Sequence, residues 1–306
     1  MYYLIKNLVI CSFFLSSSAF AQSASQPKIP TLSQPPKIVS SINPIYQIAK
    51  FISGDDKSNS LLINPRASEY SYMMRSSDIS NLNKADVIFY VSDNLEYNLP
   101  KALAALKTQP KIVQLVKSKN LKLLTFQARV DEDNVDPHIW LSPENAIGIA
   151  MEISDTLSAL YPSGSGTYKK NLEQFKVDVK NMDEKNKLEL LKVRPRSFVV
   201  DLNSTAYFEN YYNTPAAGVI RYNYDQETTL KEIDKVNNLI KREKVVCLFG
   251  SYQDRSGLAV QIANNNKVKF ALIDVIGSEI NYNQNGYTKM MTGLVDDLVK
   301  CVNNGQ

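Results

Sequence analysis

The chain has 306 residues, 44% apolar and 22% charged, with a formal net charge of +4 and a single histidine. That length gives one or two domains with ample core, and the composition is that of an ordinary globular protein rather than a disordered or collagenous one. Lysines are scattered rather than clustered, so no basic stripe marks a nucleic-acid partner.

The first 21 residues read differently from the rest. Lys6 is followed by an apolar run from Leu8 to Leu15 and then by Ala19-Phe20-Ala21. That is a cleavable export signal with its cut after Ala21, and the run is too short to span a bilayer. Cys11 has the bulky Ile10 before it, which speaks against a lipoprotein cysteine. Residues 22–36, "QSASQPKIPTLSQPP", are rich in Ser, Gln and Pro and read as a flexible leader that cannot bury a core.

From residue 37 strands and helices alternate. "KIVSSI" is a strand and "PIYQIAKFI" a helix, with apolar residues at helical spacing at 45, 48, 49 and 52. "SLLIN" is the second strand. "SSDISNLNKA" reads as a helix capped near Ser76 or Ser77. "DVIFYV", "YNLPKALAAL" and "PKIVQLV" continue as strand, helix and strand. Such alternation predicts βαβ units and a mostly parallel sheet.

After His138 the pattern turns helical. Ser142 is a good N-cap, Pro143 fits the first helical position, and Ile147, Ala150, Ile153, Leu157 and Leu160 mark one face. Pro162 with Gly164 and Gly166 ends that helix. A longer one is predicted from near Thr167, with Tyr168, Leu172, Phe175, Val179 and Met182 on one stripe. With no Gly or Pro before Pro195 it can run roughly 25 residues, about 40 Å, and its length and charge suit a strut between lobes.

The remainder repeats the first theme. "SFVVDL", "AAGVI", "KVVCLFG" and "VKFALIDVI" are strands. "STAYFENYY", "TTLKEIDKVNNLIKRE", "RSGLAVQIANN" and residues 286–302 are helices, the second with Leu230, Ile233, Val236 and Ile240 on one side. The predicted architecture is α/β: two lobes, each a mostly parallel sheet with flanking helices, joined by one long helix, with a ligand cleft between them. The boundaries are 37–163 for the first lobe, 164–194 for the helix and 195–306 for the second lobe. Once the signal is removed, Cys247 and Cys301 are an even pair in an exported chain, which favours a disulfide over two separate buried thiols.

Open α/β sheets bind ligands beyond the carboxyl ends of their strands. Four stretches lie there: "NPRASEY", the segment around His138, "DLN" after Val200, and Asp274 in "LIDVIG". Two come from each half and so can face one another across a cleft. No enzyme is expected. His138 is the only ordinary base, no G-x-S-x-G or reactive-Cys motif occurs, and "SGSG" at 163–166 lacks the lysine of a phosphate cradle.

The stretches "VSSINPIYQIAKFI", "ASEYSYMMRSSDISNLNKADVIFYV", "DPHIWLSPENA", "AYFENYY" and "LIDVIGSEI" are similar to those of periplasmic solute-binding proteins of zinc and manganese ABC importers, the cluster A-I metal-binding group. "DPHIWLSPENA" is the most specific, and the resemblance covers about residues 37–303. It implies a metal held by four side chains in the cleft, and a disulfide between a strand of the second lobe and the last helix, where Cys247 and Cys301 fall. Carried over one position at a time, His138 matches the second ligand and Asp274 the fourth. The first ligand position holds Tyr70 where the family has His. The third, aligned without a gap, holds Leu202, with Asp201 and Asn203 on either side. Asp201 fills it if the strand shifts by one residue, and Glu69 can reach in from beside Tyr70. The family's His-rich loop is replaced by the short acidic "VDEDNVD", which reads as a solvated loop.

The resemblance therefore implies a periplasmic, monomeric protein that delivers Zn²⁺ or Mn²⁺ to the permease of an ABC importer through His138, Asp274 and some of Glu69, Tyr70 and Asp201. Zn²⁺ favours tetrahedral N, S or O donors and Mn²⁺ harder, oxygen-rich ones. The alternative keeps the scaffold without the metal. Tyr70, Tyr72 and Leu202 then line a more apolar cleft, Arg66 offers an anion contact, and the ligand is a small organic molecule or metal chelate, or the role is adhesin-like. In either case Trp140 is expected in the core behind the cleft with its N–H bonded.

Overall fold

The computed structural model describes residues 31–54, 57–125, 135–193, 197–222, 227–252, 257–280 and 285–303. The export signal with its cut after Ala21, Cys11, and the acidic run at 131–133 lie outside those residues. The chain takes up a defined path earlier than expected: the Leu32 N–H donates to Leu160 O at 2.7 Å, and Pro36 is buried. Among the described residues no helix is long and apolar enough to cross a membrane.

Two four-stranded parallel sheets form the frame. The first contains β1 (Ile38–Ser40), β2 (Asn59–Leu61), β3 (Val87–Tyr90) and β4 (Lys111–Gln114) in the order β2-β1-β3-β4. The second contains β5 (Ser197–Leu202), β6 (Gly218–Arg221), β7 (Val245–Ser251) and β8 (Lys269–Ile273) in the order β6-β5-β7-β8. Each sheet places its first strand second and grows the same way, so the halves repeat in topology although no repeat is visible in sequence. The inner strands are covered on both faces and are therefore near-continuous apolar runs. Every residue of β1 and β3 is buried. The outer strands β4 and β8 are more exposed and each begins with an exposed lysine, Lys111 or Lys269, which discourages edge-to-edge pairing.

Nine helices cover the sheets among the described residues: α1 (Asn43–Ser53), α2 (Ser76–Leu82), α3 (Leu99–Ala104), α4 (Pro143–Leu160), α5 (Ser165–Leu190), α6 (Ala206–Tyr212), α7 (Leu230–Arg242), α8 (Leu258–Asn266) and α9 (Gly286–Asn303). Ser142 caps α4 as expected, its side chain accepting from the Asn145 N–H, with Pro143 at the first position. Three readings need correction. The helix at 76 has Arg75, not Ser76 or Ser77, as its flanking residue, and the Arg75 N–H is held by the Asp78 carboxylate at 2.7 Å. The long helix starts at Ser165 and carries Gly166 in its first turn, because a short 3-10 turn over Pro162–Gly164 feeds directly into it. Leu230 is 81% exposed, since α7 turns only Val236 and Ile240 fully into the sheet and its first residue projects past the packed face.

The 26-residue α5 buries Tyr168, Leu172, Phe175, Val179 and Met182, the stripe read from its 4-3 spacing. It packs on α1 and α4 of the first lobe and on α9 of the second, so it is a strut backed on both sides. One apolar core runs without a break from Ile38 through Trp140, Phe175 and Phe249 to Val302, and a smaller one lies under α7 and α8. Cys247 in β7 and Cys301 in α9 form a disulfide with Cα atoms 6.0 Å apart, tying the last helix to the second sheet.

Candidate metal centre

Every candidate lies where parallel strands deliver their carboxyl ends. Glu69 and Tyr70 are in the loop after β2, Asp201 is the penultimate residue of β5, and Asp274 follows β8 directly. His138 sits just before the 3-10 turn Ile139–Leu141 that leads into α4. Trp140 anchors that turn. It is fully buried, its Nε1–H donates to Val275 O at 2.8 Å, and its carbonyl accepts from Tyr287 Oη at 2.8 Å. Val275 and Tyr287 belong to the second lobe, so the histidine is fixed by a residue that stitches the lobes together.

His138 has no solvent exposure. Asp136 Oδ1 lies 2.7 Å from Nδ1 and 2.9 Å from the His138 backbone N. A carboxylate there accepts a hydrogen bond from Nδ1–H and leaves Nε2 with a lone pair, the arrangement that presents an imidazole to a metal. Nε2 faces the hydroxyl of Tyr70 at 3.0 Å. In that tautomer Tyr70 donates to His138, so the position a metal would take on the ring is covered by the Tyr70 hydroxyl. The other oxygen of Asp136 is buried and receives no donor among the described residues.

The surroundings are acidic. Glu69 is buried beside the pair. Burial pushes its carboxyl pKa up, while its own backbone hydrogen bond and the neighbouring His138 ring oppose the rise. Burial also raises the Tyr70 phenol well above its ordinary value, with help from the negative charges of Glu69, Asp136 and Glu96. Glu96 is buried and pushed up to about 7 by desolvation, against hydrogen bonds from the Ser41 hydroxyl and the Val91 and Ser92 N–H groups. The Tyr70 phenol, the His138 imidazole and three buried carboxyls thus influence one another within the interior.

The second lobe's candidates are engaged elsewhere. Asp201, 1% exposed, is held by a two-pronged ion pair from Arg221, at 2.5 Å to Oδ2 and 3.2 Å to Oδ1. Asp274 turns back on its own loop. Oδ1 accepts from the N–H groups of Ile276 (3.3 Å) and Gly277 (2.8 Å), and Oδ2 from Ser278 Oγ (2.9 Å) and the Glu279 N–H (3.2 Å). A carboxylate has about four lone-pair sites, and all four are filled. That loop also touches the first lobe: Asn43 Nδ2 donates to Ile276 O and Gly277 O at 3.0 and 2.7 Å, and Arg66 pairs with Glu279 at 3.2 Å. Arg66, expected as a possible anion contact, is thus answered by a carboxylate of the other lobe. Tyr72 donates to Asp78 at 2.9 Å.

The structure therefore brings together His138, Tyr70 and Glu69, and sets Asp201 and Asp274 in other bonds. Among the described residues no three His, Cys, Asp or Glu side chains converge as a ready metal cage. Of the expected donors, His138 Nε2 and Tyr70 Oη are joined to each other by a hydrogen bond. Sequence reasoning passed over Asp136, although it lies two residues before His138 in the same motif. It also passed over Arg221, for which no local pattern exists.

Comparison with known proteins identifies the family and supports the fold. A family model described as zinc-uptake complex component A, periplasmic, matches residues 38–301. The chain is 23% identical over 304 residues to the high-affinity zinc uptake system protein ZnuA of Brucella abortus, covering 87% of this chain and 91% of that one. It is 25% identical over 289 residues to the protein of the same name from Yersinia pestis, with the same coverage. The zinc-binding lipoprotein AdcA of Streptococcus pneumoniae is 24% identical over 252 residues, covering 79% of this chain and 50% of AdcA. Among solved structures, a ZnuA crystal structure superposes with a TM-score of 0.74 at 21% identity, covering 85% of this chain and 98% of that one. A manganese-bound periplasmic metal-binding protein from Candidatus Liberibacter asiaticus does so with a TM-score of 0.73 at 20% identity, covering 87% and 98%.

Proposed function

The chain belongs to the periplasmic zinc-uptake component family, and on that premise we propose that it is a periplasmic solute-binding protein that captures a divalent transition metal, zinc or manganese, and delivers it to the membrane permease of an ABC importer. The family resemblance read from the sequence is borne out, and so is the two-lobed α/β architecture. The single observation that carries the metal reading is the His138 ring. It is buried at the lobe junction, held by Asp136 on Nδ1, and its Nε2 is hydrogen-bonded to Tyr70 with Glu69 nearby.

In this reading His138 Nε2 is the fixed donor. Tyr70 Oη and the Glu69 carboxylate complete the first-lobe side. Asp274 joins from the second lobe after giving up part of its loop bonding, and Asp201 stays with Arg221. Transport by a monomer needs no catalytic group, and no residue here is assigned one. The unbroken core and the doubly backed α5 favour a small tilt of the lobes over a wide hinge.

The test is direct. The mature chain is stripped with a chelator and titrated with Zn²⁺ or Mn²⁺ while the melting temperature and bound metal are measured. One ion per chain and a concentration-dependent rise in melting temperature are expected, because an ion that binds only the folded state stabilises it by mass action. His138→Ala is expected to lose both. An absence of any shift at micromolar ion, or an unchanged shift in His138→Ala, contradicts the reading.

A further inference from the structure

We propose that Asn43 is a positioning residue that couples closure of the two lobes to Asp274. It holds from the first lobe the same stretch of backbone, residues 275–277, that Asp274 holds from the second. The inference rests on the capture reading above, in which the lobes tilt about a held ion.

The first support is the way this backbone is shared out. The Val275 C=O and the Ile276 N–H belong to one peptide unit. The carbonyl accepts from Trp140 Nε1–H at 2.8 Å, and the N–H donates to Asp274 Oδ1 at 3.3 Å. The Ile276 C=O and the Gly277 N–H belong to the next unit. Its carbonyl accepts from Asn43 Nδ2 at 3.0 Å, and its N–H donates to Asp274 Oδ1 at 2.8 Å. Asn43 Nδ2 also reaches the Gly277 carbonyl at 2.7 Å. A peptide unit is planar and stiff, so one edge cannot turn while the other stays. Two successive units therefore join Asp274 to first-lobe side chains, and a movement of either partner is passed to the other.

The second support is how firmly Asn43 is set. It is buried at the start of α1. The two carbonyls it faces decide which end of its carboxamide meets the loop, because only the amino group donates. Its oxygen is left to accept from Gln47 Nε2 at 3.1 Å, one helical turn further on. Gly277 allows the close approach. Its φ is +72°, and a Cβ there would lie 3.2 Å from Asn43 Nδ2. The ion pair of Arg66 with Glu279 also spans the lobes at this loop, but both side chains are exposed and such pairs contribute little.

The test reads lobe separation in the chelator-stripped mature chain, by double electron–electron resonance between spin labels on the exposed positions Lys111→Cys and Leu230→Cys. The labelled wild type is expected to show one distance. Asn43→Ala leaves two carbonyls without their donor and is expected to raise the share of a longer distance at least about tenfold. Asn43→Asp keeps the shape but turns a carboxylate on both carbonyls, and is expected to raise that share further. Asp274→Ala is expected to open the lobes too, although its bonds to Ile276, Gly277, Ser278 and Glu279 all lie within the second lobe. Asn43→Ala with Asp274→Ala should open no further than the more open single variant, since both act through the same peptide units. Arg66→Ala should keep the wild-type distance.

Gln47→Met keeps the side-chain length and removes the donor to Asn43. It is expected to show the longer distance as well, and it decides the matter if the Asn43 variants do not melt cooperatively. Wild-type distances in the folded Asn43, Gln47 or Asp274 variants overturn the proposal. So do additive effects in the double variant, or an opening in Arg66→Ala equal to that in Asn43→Ala. The distances are read without metal, so capture is judged apart from them. A wild type that binds neither Zn²⁺ nor Mn²⁺ overturns the capture reading and leaves the coupling of Asn43 to Asp274 standing.

Discussion

At the scale of single residues, two buried hydrogen-bonded pairs divide the labour. Asp136 with His138 aims a ring at the cleft, and Arg221 with Asp201 removes a carboxylate from it. Removing one partner of a buried ion pair strands the other, at a cost of about 3–5 kcal/mol. Arg221→Ala is therefore expected to lower unfolding stability by that order, and Arg221→Ala with Asp201→Ala to recover much of it, as read from denaturant midpoints. An Arg221→Ala variant as stable as wild type would show that the pair is not the anchor described. His138 was legible from sequence because "DPHIWLSPENA" ties residue type to place. Asp201 was less so, since its partner is 20 positions away on a neighbouring strand and no local period reveals a cross-strand pair. Tyr70 was recognised as a departure at a ligand position, but its hydrogen bond to His138 depends on the path of a loop that sequence patterns do not define.

At the scale of elements, the strands were the most readable. Parallel strands covered on both faces must be apolar throughout, and short runs such as Val87–Tyr90 carry that signature. Helix ends were less so, as Leu230 shows: the 3.6-residue period continues into a first turn that overhangs the sheet, and periodicity cannot tell where the sheet stops. The loop 275–279 is where element and site meet. Asp274 holds the amides of Ile276, Gly277 and Glu279, while the same loop bonds Asn43 and Arg66 of the first lobe. Since all its acceptor sites are in use, Asp274 can reach a metal only by releasing at least one of them. Hydrogen exchange at the Ile276, Gly277 and Glu279 amides is expected to speed up when the chain is loaded with metal. Unchanged or slower exchange there would mean that Asp274 is no ligand.

At the scale of the whole molecule, the lobes share one core, one strut and a set of cross-lobe hydrogen bonds, so site and stability are coupled. The pH dependence follows from buried carboxylates. Glu96 is raised by desolvation from its ordinary 4.5 to about 7. Glu69 and Glu209 are raised too, Glu209 first by burial and then by the charge of Asp136. A raised carboxylate binds its proton more tightly when folded. Its contribution is complete below the unfolded value and is lost as pH climbs through the folded one. The stability of the metal-free protein is thus expected to fall between about pH 4.5 and about 7 by a component that Glu96→Gln removes. A wild type and a Glu96→Gln variant with parallel pH profiles would contradict that assignment.

The central claim is that one divalent ion sits on His138 Nε2 at the lobe junction. Anomalous diffraction from crystals of metal-loaded mature protein, measured at the absorption edge of the added ion, tests it most directly. The account predicts a single strong peak about 2.0–2.2 Å from His138 Nε2, with oxygen donors from Tyr70 and a carboxylate completing its contacts. A loaded crystal with no peak in the cleft, or with a peak bonded elsewhere and the Tyr70–His138 hydrogen bond intact, would contradict it.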